Sequence, residues 1–156
     1  MNAIKNIDNV DRKLLNILQQ NSRVTIRELS EKLELSTTPI YERIKKLEKN
    51  GIIKKYISII DPRYIGKKLT VYISVSLQDH GKESIETFEN QMNLLDEVME
   101  CYYISGNYDF LLKVQCYDME DYHQFIIQKF STFKNITQFY SSFVIAEAKL
   151  KYDYRL

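Results

Sequence analysis

Tryptophan is missing from these 156 residues, and glycine, proline, cysteine and histidine are scarce, at four, two, two and two copies. So little glycine and proline excludes a collagen-like or low-complexity chain. Cys101 and Cys116 form no Cys-x-x-Cys, and His80 and His123 lie far apart in sequence, so no metal-ligand spacing exists. No metal, cofactor or catalytic constellation is expected. No apolar run approaches the ~18 residues that span a bilayer. The opening Met1-Asn-Ala-Ile-Lys-Asn-Ile-Asp8 has no hydrophobic signal core, so the expected setting is cytoplasmic, without a membrane partner. There is no excess of one charge overall, with 22 Lys or Arg against 21 Asp or Glu. That balance hides a division. Residues 1–60 carry twelve basic against seven acidic side chains, a net of +5, whereas residues 61–156 carry ten against fourteen, a net of −4. A polyanion-facing unit joined to a differently employed one accounts for this.

What is present is patterned. Thr25 with Glu28 forms a capping box, and Ile26, Leu29 and Leu33 follow at helical spacing. This helix stops near Glu34. Ser36 stands as cap of the next, Pro39 falls in its first turn, and Asn50-Gly51 ends it. At about 100° per residue, Ile40, Ile44 and Leu47 share one stripe of that second helix, with Thr38, Glu42, Lys45, Lys46 and Lys49 opposite and Tyr41 on the flank. Arg43 lies near the apolar edge, placed either to reach a phosphate or to close a salt bridge within the domain. Two short amphipathic helices with a tight turn and a free basic face are a helix-turn-helix, a device for reading double-stranded DNA. A preceding helix, Asp8 to about Asn21 with Val10, Leu14, Ile17 and Leu18 inward, makes the domain three-helical.

Ile52 to Ile60 alternates as a linking strand, and Asp61-Pro62 with Gly66 marks a boundary. Domains of 1–60 and 61–156 follow. Leu69, Val71, Ile73, Val75 and Leu77 alternate with Thr70, Tyr72, Ser74 and Ser76, a strand with two chemically different faces. The pattern continues as a helix (Glu83 to Leu95), strands Val98 to Ser105 and Tyr108 to Cys116 about a Gly106-Asn107 turn, a helix from Asp118 and a closing strand from Ile136 to about Leu150. That order is βαββαβ. The fold class is therefore α+β: an N-terminal three-helix helix-turn-helix domain followed by a ferredoxin-like βαββαβ domain, helices on one sheet face. Pairing across the turn sets Cys101 opposite about Lys113, which excludes a disulfide to Cys116. The uncovered sheet face carries Tyr72 and either Tyr102 or Tyr103, too large and apolar to leave wet, so a homodimer packed sheet on sheet is expected.

At this point the chain resembles the Lrp/AsnC, or feast/famine, family of transcriptional regulators. The resemblance runs from Ile7 to Lys149 and rests on four stretches. They are Asp8-Asn-Val-Asp-Arg-Lys-Leu-Leu15, the helix-turn-helix with Ser36-Thr-Thr-Pro39 and Arg43-Ile-Lys-Lys-Leu-Glu48, the turn Ser105-Gly-Asn-Tyr-Asp-Phe-Leu-Leu112, and Asp118-Met-Glu-Asp-Tyr122.

The resemblance implies a sequence-specific DNA-binding regulator, not an enzyme, that answers to a small-molecule effector, most simply an amino acid, held between dimers in a higher homo-oligomer. The second motif helix would supply DNA contacts, Thr37, Thr38, Tyr41, Glu42 and Lys45 toward bases and Arg43, Lys46 and Lys49 toward phosphates. Carried over by motif, Tyr103, Gly106, Asn107, Asp109, Met119, Ser142 and Phe143 line the effector pocket. Asp109 is suited to an ammonium, and the bare backbone around Gly106 and Asn107 to a carboxylate. The closing Phe139-Tyr-Ser-Ser-Phe-Val144 departs from the family's usual versions. Siroheme decarboxylases share this two-domain framework, so a tetrapyrrole enzyme is the alternative; the poor histidine supply disfavours it.

Overall fold

The first described helix, α1 (Asn9–Gln20), begins at a reciprocal cap: Asp8 accepts from the Asp11 N–H at 2.8 Å and the Asp11 carboxylate accepts from the Asp8 N–H at 3.3 Å. The computed structural model describes residues 7–156, so most of the stretch read for a signal core lies outside the described residues. Leu14, Leu15 and Leu18 turn inward, whereas Val10 and Ile17, expected there, are only half-buried. Asp11 takes the inward place, because Arg43 waits opposite it. Helix α2 (Ile26–Leu33) carries the anticipated Thr25–Glu28 box and ends on Glu34 in the left-handed region, φ 55°. Helix α3 (Thr37–Lys49) starts at Ser36, but that hydroxyl makes no capping hydrogen bond. Leu14, Leu29, Ile40, Ile44 and Leu47 form one core, with Val24, Ile52 and Ile53 packed around it.

The linking strand expected over residues 52–60 is not formed. The Ile52 and Ile53 N–H groups both donate to the Leu47 carbonyl, at 2.9 and 3.2 Å, and the chain from Lys54 to Ile60 is extended and exposed. Alternation alone makes no strand. A ladder needs a neighbour, and among the described residues none pairs here.

By contact the chain divides into two units, one running to Ile59 and taking in Lys149–Leu156, the other Ile60–Ala148. Within the first, the Gln19 amide clasps the main chain of Tyr154, accepting from its N–H at 2.7 Å and donating to its carbonyl at 3.1 Å. The closing strand β4 (Ile136–Phe143) stops short of the expected Leu150, at the level where its partner strand begins: the Val144 N–H donates to the Thr70 carbonyl at 3.0 Å.

In the second unit Pro62–Ile65 forms a 3-10 turn closed by Gly66 at φ 81°, where an added Cβ would sit 3.2 Å from the Tyr117 ring. Four antiparallel strands, β1 (Leu69–Leu77), β2 (Val98–Tyr103), β3 (Phe110–Cys116) and β4, lie in the order β2-β3-β1-β4. Helices α4 (Lys82–Met92) and α5 (Met119–Gln124) contribute Phe88, Met92 and Tyr122 to the core beneath the alternating β1 residues. After α5 the helix widens into a π turn (Phe125–Lys129) and tightens to 3-10 (Phe130–Thr132), keeping Phe125 and Phe130 inward. Cys101 faces Leu112, one place from the expected Lys113, because the register set at the Gly106-Asn107 turn runs unbroken from Tyr103–Phe110 to Glu100–Lys113; the bulge between Val98 and Glu100 lies beyond it. Both cysteines are free, and burial pushes each thiol up to about 11. Register also resolves the tyrosine alternative. Tyr102 pairs with Leu111, which pairs with Ser74 on the outer face, whereas Tyr103 pairs with buried Phe110. No described helix is long and apolar enough to cross a membrane.

Phe130 is fully buried and packs against Phe125, Phe133 and Phe139 at ring separations of 5.8, 6.2 and 5.2 Å. Phe130→Ala should cost about 3–5 kcal/mol in urea unfolding followed through the sheet domain. A loss below about 1 kcal/mol would mean that the helix after α5 does not pack as described.

Candidate functional site

Helix α3 presents the two-sided surface that DNA reading requires. Ile40, Ile44 and Leu47 are buried, and Thr37, Thr38, Tyr41, Glu42, Lys45, Lys46 and Lys49 are all exposed. Lys45 is already organised: Nζ lies 3.2 Å from Glu48 and 5.7 Å from the Tyr41 ring centroid, and the Glu48 hydrogen bond raises its pKa. Glu48 in turn accepts from the Tyr56 hydroxyl at 3.1 Å.

Arg43 takes the second of its two possible roles. Its Nη1 lies 2.5 Å from Asp8 and 2.7 Å from Asp11, whose side chain is 6% exposed. Hydrogen bonding to Asp11 first, and to Asp8 next, raises the guanidinium pKa. The Asp8 carboxyl is held below its ordinary 3.8, first by the Asp11 N–H and then by Arg43. This cluster joins the start of α1 to the middle of α3 and so sets the angle at which α3 is offered. The pairing of Asp8 and Asp11 with a residue more than thirty positions away has no local signal in the sequence.

The residues expected around the effector fall into two groups. Tyr103, Gly106, Asn107 and Asp109 gather at the β2–β3 turn, where Gly106 adopts φ 135°. The Asp109 N–H donates to Val75 at 2.9 Å, its carboxylate accepts from the Leu77 N–H at 2.8 Å, and its carbonyl accepts from the Ile104 N–H at 2.8 Å. Asp109 thus ties the turn to the far end of β1. Phe143, by contrast, pairs with Val71, four residues back along β1 or about 13 Å. Its ring meets Tyr122 of α5 at 5.2 Å, three residues after Met119. Ser142 pairs with Tyr72 and so belongs to the outer face, while neighbouring Ser141 bonds the Tyr122 hydroxyl on the inner one. One chain does not bring the two groups together. A hollow of about 230 Å³ lined by Asp79, Glu83, Ser84, Phe88 and Asn135 includes none of these residues.

His80 was missed. Its Nε2 lies 3.1 Å from the Asp109 carboxylate, although the two are 29 positions apart. No local pattern in the sequence signals that pairing.

Comparison with known proteins covers both units. Residues 70–154 match the family model for the Lrp/AsnC ligand binding domain, and residues 7–54 a winged helix-turn-helix DNA-binding model. An uncharacterised HTH-type transcriptional regulator of Haemophilus influenzae is 38% identical over 122 residues, 78% of this chain and 73% of that protein. The leucine-responsive regulatory protein of Escherichia coli K12 is 35% identical over 78% of this chain and 74% of its own length. Among solved structures, a transcriptional regulator of Neisseria meningitidis in complex with L-Met superposes with a TM-score of 0.86 at 33% identity, covering 92% of both chains.

Two measurements check the Arg43 cluster. Arg43→Ala leaves Asp11 buried without its cation and should lower the stability of the helical domain by about 1.5–3 kcal/mol in thermal or urea unfolding. Because the folded Asp8 pKa is depressed, the stabilisation it contributes is complete above the ordinary carboxylate range and is lost as pH falls through the folded value. Asp8→Ala should therefore melt with a weaker dependence on pH below about 4 than the unmutated protein. Parallel pH profiles would refute the linkage.

Proposed function

The chain belongs to the Lrp/AsnC family of helix-turn-helix transcriptional regulators, and from that membership we propose that it binds operator DNA as a homo-oligomer under the control of a free amino acid. The exposed polar face of α3, backed by buried Ile40, Ile44 and Leu47, is the observation that carries the DNA reading. In this reading α3 enters the major groove with Thr37, Thr38, Tyr41, Glu42 and Lys45 toward base edges, while Lys46 and Lys49 meet phosphates. Arg43, joined to Asp8 and Asp11 through Nη1, orients the helix.

Residues 1–60 serve as the DNA-binding domain and 61–156 as the effector-binding and assembly domain, with the last residues returning to α1. Tyr72, Leu111, Tyr102 and Tyr140 give the outer sheet face an aromatic surface suited to a second copy. Further copies would bring the Asp109 turn of one chain toward the Met119 and Phe143 region of another, which accounts for their separation within a single chain. An amino acid at such a junction shifts the assembly by binding one arrangement more tightly. The L-Met complex of the Neisseria protein supports the choice of ligand class. The regulator reading is favoured over a tetrapyrrole decarboxylase because the relatives are transcriptional regulators. Cytoplasmic residence follows from that role.

Selection of bound fragments from a random double-stranded DNA pool, with and without the common amino acids, tests binding and response together. Against the selected operator, Lys46→Ala should weaken all sequences about equally and reduce the salt slope by ~1, whereas Lys45→Ala should relax specificity at one position by ~1–3 kcal/mol. Unchanged binding in both variants would overturn the docking of α3.

A further inference from the structure

The extended stretch that follows the helical core sends one side chain back to α3. Tyr56, which belongs to the same compact unit, donates its hydroxyl to Glu48 Oε1 at 3.1 Å, and Glu48 Oε2 accepts from Lys45 Nζ at 3.2 Å. The carboxylate is a bridge with both oxygens engaged. Beyond it, Lys45 Nζ lies 5.7 Å from the Tyr41 ring centroid, so Tyr41, Lys45 and Glu48 line one flank of the helix at helical spacing. Burial first, and the Glu48 hydrogen bond next, raise the Tyr56 pKa, which keeps the phenol a donor at neutral pH. The bond to Glu48 likewise keeps Lys45 an ammonium.

We propose that Tyr56 is a positioning residue for sequence reading by α3: acting through Glu48, it fixes the direction in which Lys45 presents its ammonium. The inference rests on the docking of α3 described above and adds to it a residue outside the helix. A lysine head is a compact charge on a flexible stem, equally able to meet any phosphate or any acceptor on a base edge. Left free, it attracts without selecting. Held in one direction, it selects. The ammonium carries N–H donors beyond the one that Glu48 takes, and with 58% of its side chain exposed Lys45 is anchored without being enclosed. Glu48 alone does not supply the anchor, because an exposed Lys–Glu pair on a helix surface is weak and DNA phosphates would repel the carboxylate. Tyr56 holds the second oxygen, and with it the carboxylate, from a direction that α3 itself does not provide. Since Tyr56 lies in the stretch 54–60 that leads to the sheet domain, the path of that stretch decides whether the bridge forms. Sequence selectivity, and not affinity alone, then depends on the linking chain.

Fluorescence anisotropy of the full-length protein against the selected operator and its single-base variants tests this, with Tyr56→Phe, Glu48→Ala and Lys45→Ala alone and Tyr56→Phe combined with Lys45→Ala. Tyr56→Phe keeps the ring and removes only the donor. It should lower discrimination at the base position that Lys45→Ala identifies by about two- to ten-fold, the loss of one hydrogen bond, and leave other positions within about two-fold. In the Lys45→Ala background the same substitution should change nothing further at that position, because its action passes through Lys45. Glu48→Ala breaks the bridge without touching the linking chain and should relax the same position, so it decides the matter if Tyr56→Phe melts early. Unchanged discrimination, equal weakening at every position, or a Tyr56→Phe effect that persists without Lys45 would each overturn the role of Tyr56 and leave the docking of α3 standing. If Lys45→Ala itself relaxes no position, the Lys45 base contact fails and the role of Tyr56 with it.

Discussion

The C-terminal domain hangs on the burial of one face of β1. Val71, Ile73, Val75 and Leu77 are almost wholly excluded from solvent, and β1 pairs with both β3 and β4. Slipping β1 by one residue would exchange four aliphatic groups for Tyr72 and three small polar ones, a change no neighbouring strand could absorb. The register of β1 therefore fixes that of its partners. It also fixes where the functional groups lie, because the carbonyl of Val75 and the N–H of Leu77 are what hold Asp109. Core and site share the same strand.

A different constraint governs the helical domain, where packing is supplemented by a charge. Aliphatic contacts among Leu14, Leu29, Ile40 and Leu47 would hold three helices together over a range of angles. Arg43 on Asp8 and Asp11 narrows that range. A buried ion pair is a modest source of stability and a strong source of specificity in arrangement when its partners cannot be exchanged. The same economy appears on the exposed side, where Tyr56, Glu48 and Tyr41 hold Lys45 in place before any DNA arrives.

Polar groups in both regions are held by their surroundings, Asp109 by main-chain groups of β1 and Arg43 and Lys45 by neighbouring side chains. At the Asp109 turn the immobilising bonds come from β1; at α3 they come from α1 and from the chain just beyond the helix. Preorganisation of this kind reduces the ordering cost of binding.

The sequence by itself determined the βαββαβ order of the second unit, the two faces of β1, the buried stripe of α3 and the Thr25–Glu28 capping box. These are local properties, set by periods of 3.6 and 2 and by cap chemistry within three or four residues. Tertiary structure decided the rest. The stretch from Ile52 to Ile60 alternates yet forms no strand, because a ladder depends on a partner that periodicity does not report. β4 ends at Phe143 because β1, its partner, begins at Leu69 and offers no further ladder. Whether Arg43 faced a phosphate or a carboxylate turned on where Asp11 lay, and the pairing of His80 with Asp109 turned on two loops meeting at one end of a sheet. In each case the deciding contact joins residues tens of positions apart, and the energy of such a contact exists only once the chain has closed upon itself.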